Sequence, residues 1–185
     1  MTESEIRGYA TAKGFHRQTL ERWLAWEAAD RESLQEIAGS LKIGENHLRD
    51  IMDWLEDIAL RDSTKIHAIL TRPSVVSIKT DPRLGRADKI KRIKEQLRRW
   101  RLPRLAALEE SIRTKIQTLK LPAVIRLSVP PGLEGGRLQV QFSAGSAVEL
   151  EKLTHQLNVA ASSALTAEIF DLMSGEVAAG SREET

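Results

Sequence analysis

Cysteine is absent from the 185 residues, which excludes disulfide frameworks, thiolate zinc sites and cysteine nucleophiles. Aromatic residues are scarce, at 4% of the chain, yet four of them are tryptophan. No apolar run approaches the roughly 18–20 residues that a membrane helix needs. The N-terminal stretch MTESEIRGYATAKG lacks the basic-then-apolar plan of a signal peptide, so an intracellular protein without membrane attachment is expected. What remains, 41% hydrophobic and 29% charged residues, is the mix of an ordinary globular chain with one or two small domains.

The formal net charge of +2 hides an asymmetry. Residues 1–60 carry 7 basic and 12 acidic side chains, residues 61–120 carry 17 and 6, and residues 121–185 carry 4 and 8. Such a distribution points to an anionic partner at the middle of the chain. A solvated helix surface is the plainer use of the same charges.

The first sixty residues read as short amphipathic helices. Ile6, Tyr9 and Ala10 mark one, ending near Gly14, and Leu20, Trp23 and Leu24 mark a second. Leu34, Ile37, Ala38 and Leu41 give a third, with Ser33 or Asp30 as N-cap, and Leu48, Ile51, Leu55 and Ile58 a fourth, entered through Gly44. Trp23, Trp26 and Trp54 are expected in the core. Pro73, Pro82 and Gly85 then punctuate the pattern, which suggests a linker. Ile90, Ile93, Leu97 and Trp100 restore a helical seam, and Leu105, Leu108, Ile112, Ile116 and Leu119 continue it beyond Pro103. After Pro122 the period changes from helical to alternating. Val124–Val129 and Leu138, Val140, Phe142 read as two strands joined by a glycine-rich turn. Ser146 with Glu149 forms a capping-box start for a following helix. Residues 160–173 can form another helix, and SGEVAAGSREET reads as a polar tail.

Catalysis has little to stand on. His16, His47, His67 and His155 are scattered, without carboxylate partners at metal-ligand spacing. The GLEGG run at 132–136 is followed by no helix and so is no phosphate loop. Acid pairs such as Glu109–Glu110 fall on solvated helices. No catalytic residue, metal site or cofactor is expected, and the protein reads as no enzyme.

Residues 9–24, YATAKGFHRQTLERWL, resemble a helix-turn-helix. Ala10 lets two helices cross closely, and Gly14 can take the left-handed turn conformation. That template exposes His16, Arg17 and Gln18, with Arg22 one turn later; Arg and Gln can read guanine and adenine edges. Lys13 departs from it, standing where an apolar residue is usual. A second match spans SLQEIAGSLKIGENHLRDIMDWLED. There Lys42 replaces the turn glycine, and the would-be recognition helix carries Glu45, Asp50, Asp53, Glu56 and Asp57, which repel phosphates. This second pair reads as scaffold or protein-contact surface.

Residues 83–104 hold ten basic and two acidic side chains. Around a helix, Arg86, Lys89, Lys91, Arg92, Lys94, Arg98, Arg99 and Arg101 cover everything but the apolar seam, a surface suited to a phosphate backbone. A membrane-surface helix is the rival use of that pattern.

The segment 108–157, LEESIRTKIQTLKLPAVIRLSVPPGLEGGRLQVQFSAGSAVELEKLTHQL, resembles the C-terminal domain of the chromosome-partitioning ParB family. The resemblance rests on a helix, a Val124–Leu127 strand, a glycine-rich turn, a Leu138–Val140–Phe142 strand and the Glu149–Leu150 helix. It implies a dimerisation module pairing through the hairpin and last helix, with basic residues that touch DNA without sequence preference. Nothing here resembles that family's nucleotide-binding domain, and its Gly-Glu-Arg-Arg-type motif is absent, so nucleotide binding is not implied.

The sequence thus predicts an α+β chain. Residues 1–72 form a helical domain with helix-turn-helix-like hairpins, 73–82 a linker, 83–104 a basic helix, 105–158 an αββα dimerisation domain, and 159–185 a short helix and flexible tail. The expected function is a bacterial-type, cytoplasmic and nucleoid-associated DNA-binding homodimer, with Ile125, Leu127, Val140, Phe142, Leu150 and Leu153 at the dimer interface. The alternative is an adaptor whose acidic N-terminal helices dock a protein partner.

Overall fold

A computed structural model describes residues 3–174. The chain divides into two compact units, Met1–Leu102 and Pro103–Thr185. The first is all-helical: α1 (Glu3–Ala12), α2 (Arg17–Leu24), α3 (Ala28–Leu41), α4 (Glu45–Asp62), α5 (Ile66–Leu70), α6 (Pro73–Thr80) and α7 (Arg86–Arg101). Along α4, Leu48, Ile51, Met52, Leu55 and Ile58 recur at helical spacing and are all buried. They meet Leu34, Ile37, Ala38 and Leu41 of α3, Ile69 of α5 and Ile93 and Leu97 of α7 in one core. Trp23 lies fully inside it, while Trp26 and Trp54 pack half-buried on its rim. Each fully buried Leu, Ile or Met among them contributes about 1.5–3 kcal/mol, so this core holds the unit.

Three helices end alike. Gly14, Lys42 and Ser63 each take the left-handed conformation, at φ 67°, 53° and 49°. The next residue then donates back to the helix: Phe15 to the Ala10 carbonyl, Ile43 to that of Ala38, and Thr64 to that of Ala59. The first cap was legible in Gly14. The others use side-chain-bearing residues, which is why Lys42 looked like a broken turn. Asp30 and Ser33 do not cap α3, which starts after Glu27. Asp30 is buried and accepts instead from the His67 backbone N–H at 2.8 Å, at the start of α5.

Two expected boundaries move. Residues 73–82 contain α6 rather than a linker, because Pro73 sits at the first turn, where its missing N–H costs nothing. Val75 of α6 is buried in the core, and Lys79 pairs with Glu36 at 2.6 Å. The basic helix is likewise no separate element: Ile93 and Leu97 anchor α7 in the first unit. The division falls between Leu102 and Pro103 instead.

The second unit contains α8 (Pro103–Thr118), β1 (Arg126–Ser128), β2 (Gln139–Gln141), α9 (Ala147–Ala161) and α10 (Ala164–Ser174). The strands form a two-stranded antiparallel sheet pairing Arg126 with Gln141, Leu127 with Val140 and Ser128 with Gln139. Residues 131–136 make the turn, with Gly132, Gly135 and Gly136 at positive φ. The expected cap forms with one change: Ser146 Oγ accepts from the Glu149 N–H at 3.1 Å, while Glu149 accepts from the N–H of Gly145, one residue before the N-cap, at 2.7 Å. Helix α10 packs on α8, so residues 159–174 belong to this unit instead of trailing it. The expected tail, from Gly175 onward, lies outside the described residues. The class is therefore mostly helical with one small sheet, as the broad α+β expectation had it.

Ser63 is exposed at its left-handed cap. Ser63→Gly should raise stability by about 0.5–1 kcal/mol, read as a higher urea midpoint at an unchanged slope. An unchanged or lower midpoint contradicts the cap assignment.

Candidate nucleic-acid interface

The turns after α1 and α3 are stitched together side by side. The Tyr9 hydroxyl, half-buried, is placed 2.8 Å from the Ala38 carbonyl and 2.7 Å from that of Ile43. Lys13 Nζ donates to the Lys42 carbonyl at 3.1 Å. Glu45, the first residue of α4, accepts from the His16 N–H at 2.9 Å and from Thr19 Oγ1 at 2.6 Å. The Thr19 hydroxyl and then the His16 amide stabilise the ionised carboxylate and hold its pKa below the ordinary value. Both helices consequently begin at one edge of the unit.

That edge brings together residues which the two helix-turn-helix matches had kept apart. His16, Arg17 and Gln18 are exposed at the start of α2, as the first match placed them. His16 also caps α2, its Nδ1 accepting from the Gln18 N–H at 3.2 Å. His16, Gln18, Thr19, Arg22 and Arg49 line a polar cleft of about 160 Å³. Lys13, Lys42, Asn46 and Arg49 are exposed on the same edge. The sequence reading passed over this second set because its turn lysine and acidic helix argued against phosphate contact.

The acids of α4 do not face solvent alone. Arg22 bonds Asp53 at 2.6 Å and Glu56 at 2.6 Å, and Trp26 Nε1 also donates to Glu56 at 2.8 Å. Glu56, ahead of Asp53, raises the already high Arg22 pKa. Arg22 is thus a strut between α2 and α4, which corrects its expected place on a base-reading surface. Lys94 pairs with Asp50 at 2.6 Å and Arg101 with Asp57 at 2.7 Å. Lys89 donates to the Lys79 carbonyl at 2.8 Å. These three α7 cations turn toward their own unit, so the expected cationic sleeve is only partly available. Arg86, Lys91, Arg92 and Arg99 are exposed and Arg98 is half-buried, interleaved with exposed Asp88 and Glu95.

In the second unit, Ile125 and Leu153 are buried within the monomer, 5% and 4% exposed, and so are not part of a free dimer surface. Leu127 and Phe142 are half-buried, whereas Val140 and Leu150 are exposed. Exposed Val124, Val148, Val159 and Phe170 were missed. On α9 the outward side of the helix was not separable from the inward side by spacing alone.

Comparison with family models, curated proteins and solved structures finds no match. Among the described residues no cluster of three or more His, Asp or Glu side chains could hold a metal ion, and no helix is long and apolar enough to cross a membrane.

The depressed Glu45 pKa fixes a sign. Its contribution to stability is present above the unfolded carboxylate's pKa and is lost as pH falls through the folded one. Glu45→Gln should therefore lower the melting temperature at neutral pH and flatten its fall on acidification. Parallel acid profiles for variant and parent would remove Glu45 from the joint between α2 and α4.

Proposed function

We propose that this protein is a non-enzymatic, dimeric DNA-binding protein whose first unit meets the phosphate backbone along the edge where α2 and α4 begin. One observation carries the reading. Lys42 and Arg49 are exposed there beside His16 and Gln18, with Lys13 donating to the Lys42 carbonyl and Arg17 paired with Glu21. Asp50, Asp53, Glu56 and Asp57 are each ion-paired within the unit, and Glu45 alone stays an unpaired anion at the edge. Neutralising phosphates dominates the affinity of such proteins, and helix N-termini add favourable N–H groups. His16, Gln18 and Arg49 around their polar cleft supply side chains able to contact base edges. The outward cations of α7, Arg86, Lys91 and Arg92 among them, add long-range attraction. The adaptor reading, with acidic helices docking a basic partner, draws less support because Asp50, Asp53, Glu56 and Asp57 are already paired.

Pairing with a second copy is the other half of the proposal. A two-stranded hairpin is marginal by itself, and β1 and β2 expose most of their residues. Val124, Val140, Val148, Leu150, Val159 and Phe170 are large apolar side chains left exposed on this unit. The resemblance of 108–157 to the ParB C-terminal domain points the same way.

The test is the slope of log affinity against log salt on duplex DNA. Lys13→Ala, Lys42→Ala and Arg49→Ala should each reduce it by about 0.9. Arg101→Ala should lower stability and leave the slope unchanged. In the same titrations Val140→Asp should bind as a monomer by light scattering. Unchanged slopes in all three edge variants contradict the proposed interface.

A further inference from the structure

Helices α4 and α7 run parallel, and between them lies a groove of about 470 Å³. Trp54, Ile90 and Ala87 give it an apolar floor, and His47, Lys91 and Lys94 stand on its rim. Glu95 is a carboxylate on the same lining. Trp54 and Ile90 pack on the core while remaining half-exposed. Ala87 is exposed and short, which leaves room for another backbone to approach. We propose that this groove docks a short amphipathic helix of a partner protein, apolar on the side facing Trp54 and carboxylate-bearing along its flank.

Length and charge select that occupant. The groove-lining positions of α7 run from Ala87 to Arg98, eleven steps that span about 16 Å, or three helical turns. A groove between two helices takes a third through an i, i+3, i+4, i+7 apolar stripe. The Lys91 ammonium is exposed at the rim. Lys94 Nζ lies 2.6 Å from Asp50, 3.4 Å from His47 Nδ1 and 5.3 Å from the Trp54 ring centroid. Carboxylates on the incoming helix therefore meet Lys91 first and share Lys94 with Asp50. Nucleic acid fits less well, since Lys94 already covers one indole face and a phosphodiester chain has no apolar side for Ile90 and Ala87. The groove's floor residues take no part in the DNA-binding edge, and only the rim's Lys91 is shared with the α7 cations that attract DNA at long range.

The test uses the full chain and two fluorescein-labelled synthetic peptides of about eleven residues. They share the same leucine stripe, with glutamates on the flank of one and lysines on the other. Fluorescence anisotropy should show saturable binding of the acidic peptide, at least about tenfold tighter than the basic one. Ala87→Trp, which fills the groove, and Lys91→Glu, which reverses the rim, should each weaken the acidic peptide about tenfold with unchanged thermal midpoints. Equal binding of both peptides, no binding of the acidic one, or affinity indifferent to both substitutions overturns the proposal. A single-stranded oligonucleotide that binds and loses affinity in Ala87→Trp would also overturn it, by assigning the groove to nucleic acid.

Discussion

Two carboxylates one heptad apart on α4 face two cations one heptad apart on α7. Lys94 meets Asp50 and Arg101 meets Asp57, both across an offset of 44 residues. Arg61 extends the alignment by donating to the Arg101 carbonyl at 3.0 Å. The equal offsets make the helices parallel and in register, much as flanking charges align a coiled coil. Exposed ion pairs contribute only about 0–1 kcal/mol each, less than the burial of Ile93 or Leu97. Burial thus holds α7 against the core, and the charges decide where along α4 it sits. The neutralisation of Asp50 and Asp57 and the groove beside Trp54 follow from that placement.

The charge asymmetry takes on a different meaning in this light. An acidic first third and a basic middle suggested partners elsewhere, yet part of each block is the other's partner. Arg22 repeats the device from the opposite side, spanning Asp53 and Glu56. Ion pairing offsets the charge of Asp50, Asp53, Glu56 and Asp57, though not of Glu45, and it leaves Lys42 and Arg49 outward at the end of the unit, with Lys13 held beside them on the Lys42 carbonyl. The proposed interface is thereby smaller than the basic helix suggested and lies at the joint between two turns.

Much of this architecture was legible in the residues. The stripe Leu48–Ile51–Leu55–Ile58 located α4, Gly44 its start, Ser146 and Glu149 the start of α9, and the glycine-rich turn the hairpin. Exposed His16, Arg17 and Gln18 lie where their motif placed them. The misses have physical causes. Pro73 was read as a breaker although a helix accepts it in the first turn. Lys42 and Ser63 hold left-handed caps without glycine, so the local signal was missing. Which cations of α7 face inward depends on the rotation of α7 about α4, a tertiary property that its own sequence does not carry. Ile125 and Leu153 alternate or recur correctly for an apolar face, but spacing cannot distinguish a face buried within one chain from one buried between two.

The register of α4 against α7 is open to direct measurement by a double-mutant cycle on Asp57 and Arg101. Asp57→Arg and Arg101→Asp should each destabilise the chain, and the doubly swapped protein should recover, giving a coupling of about 0.5–1 kcal/mol in urea unfolding that shrinks as salt is raised. Additive losses with no coupling at low salt would mean that the two side chains do not meet, and the placement of α7 along α4 would be wrong.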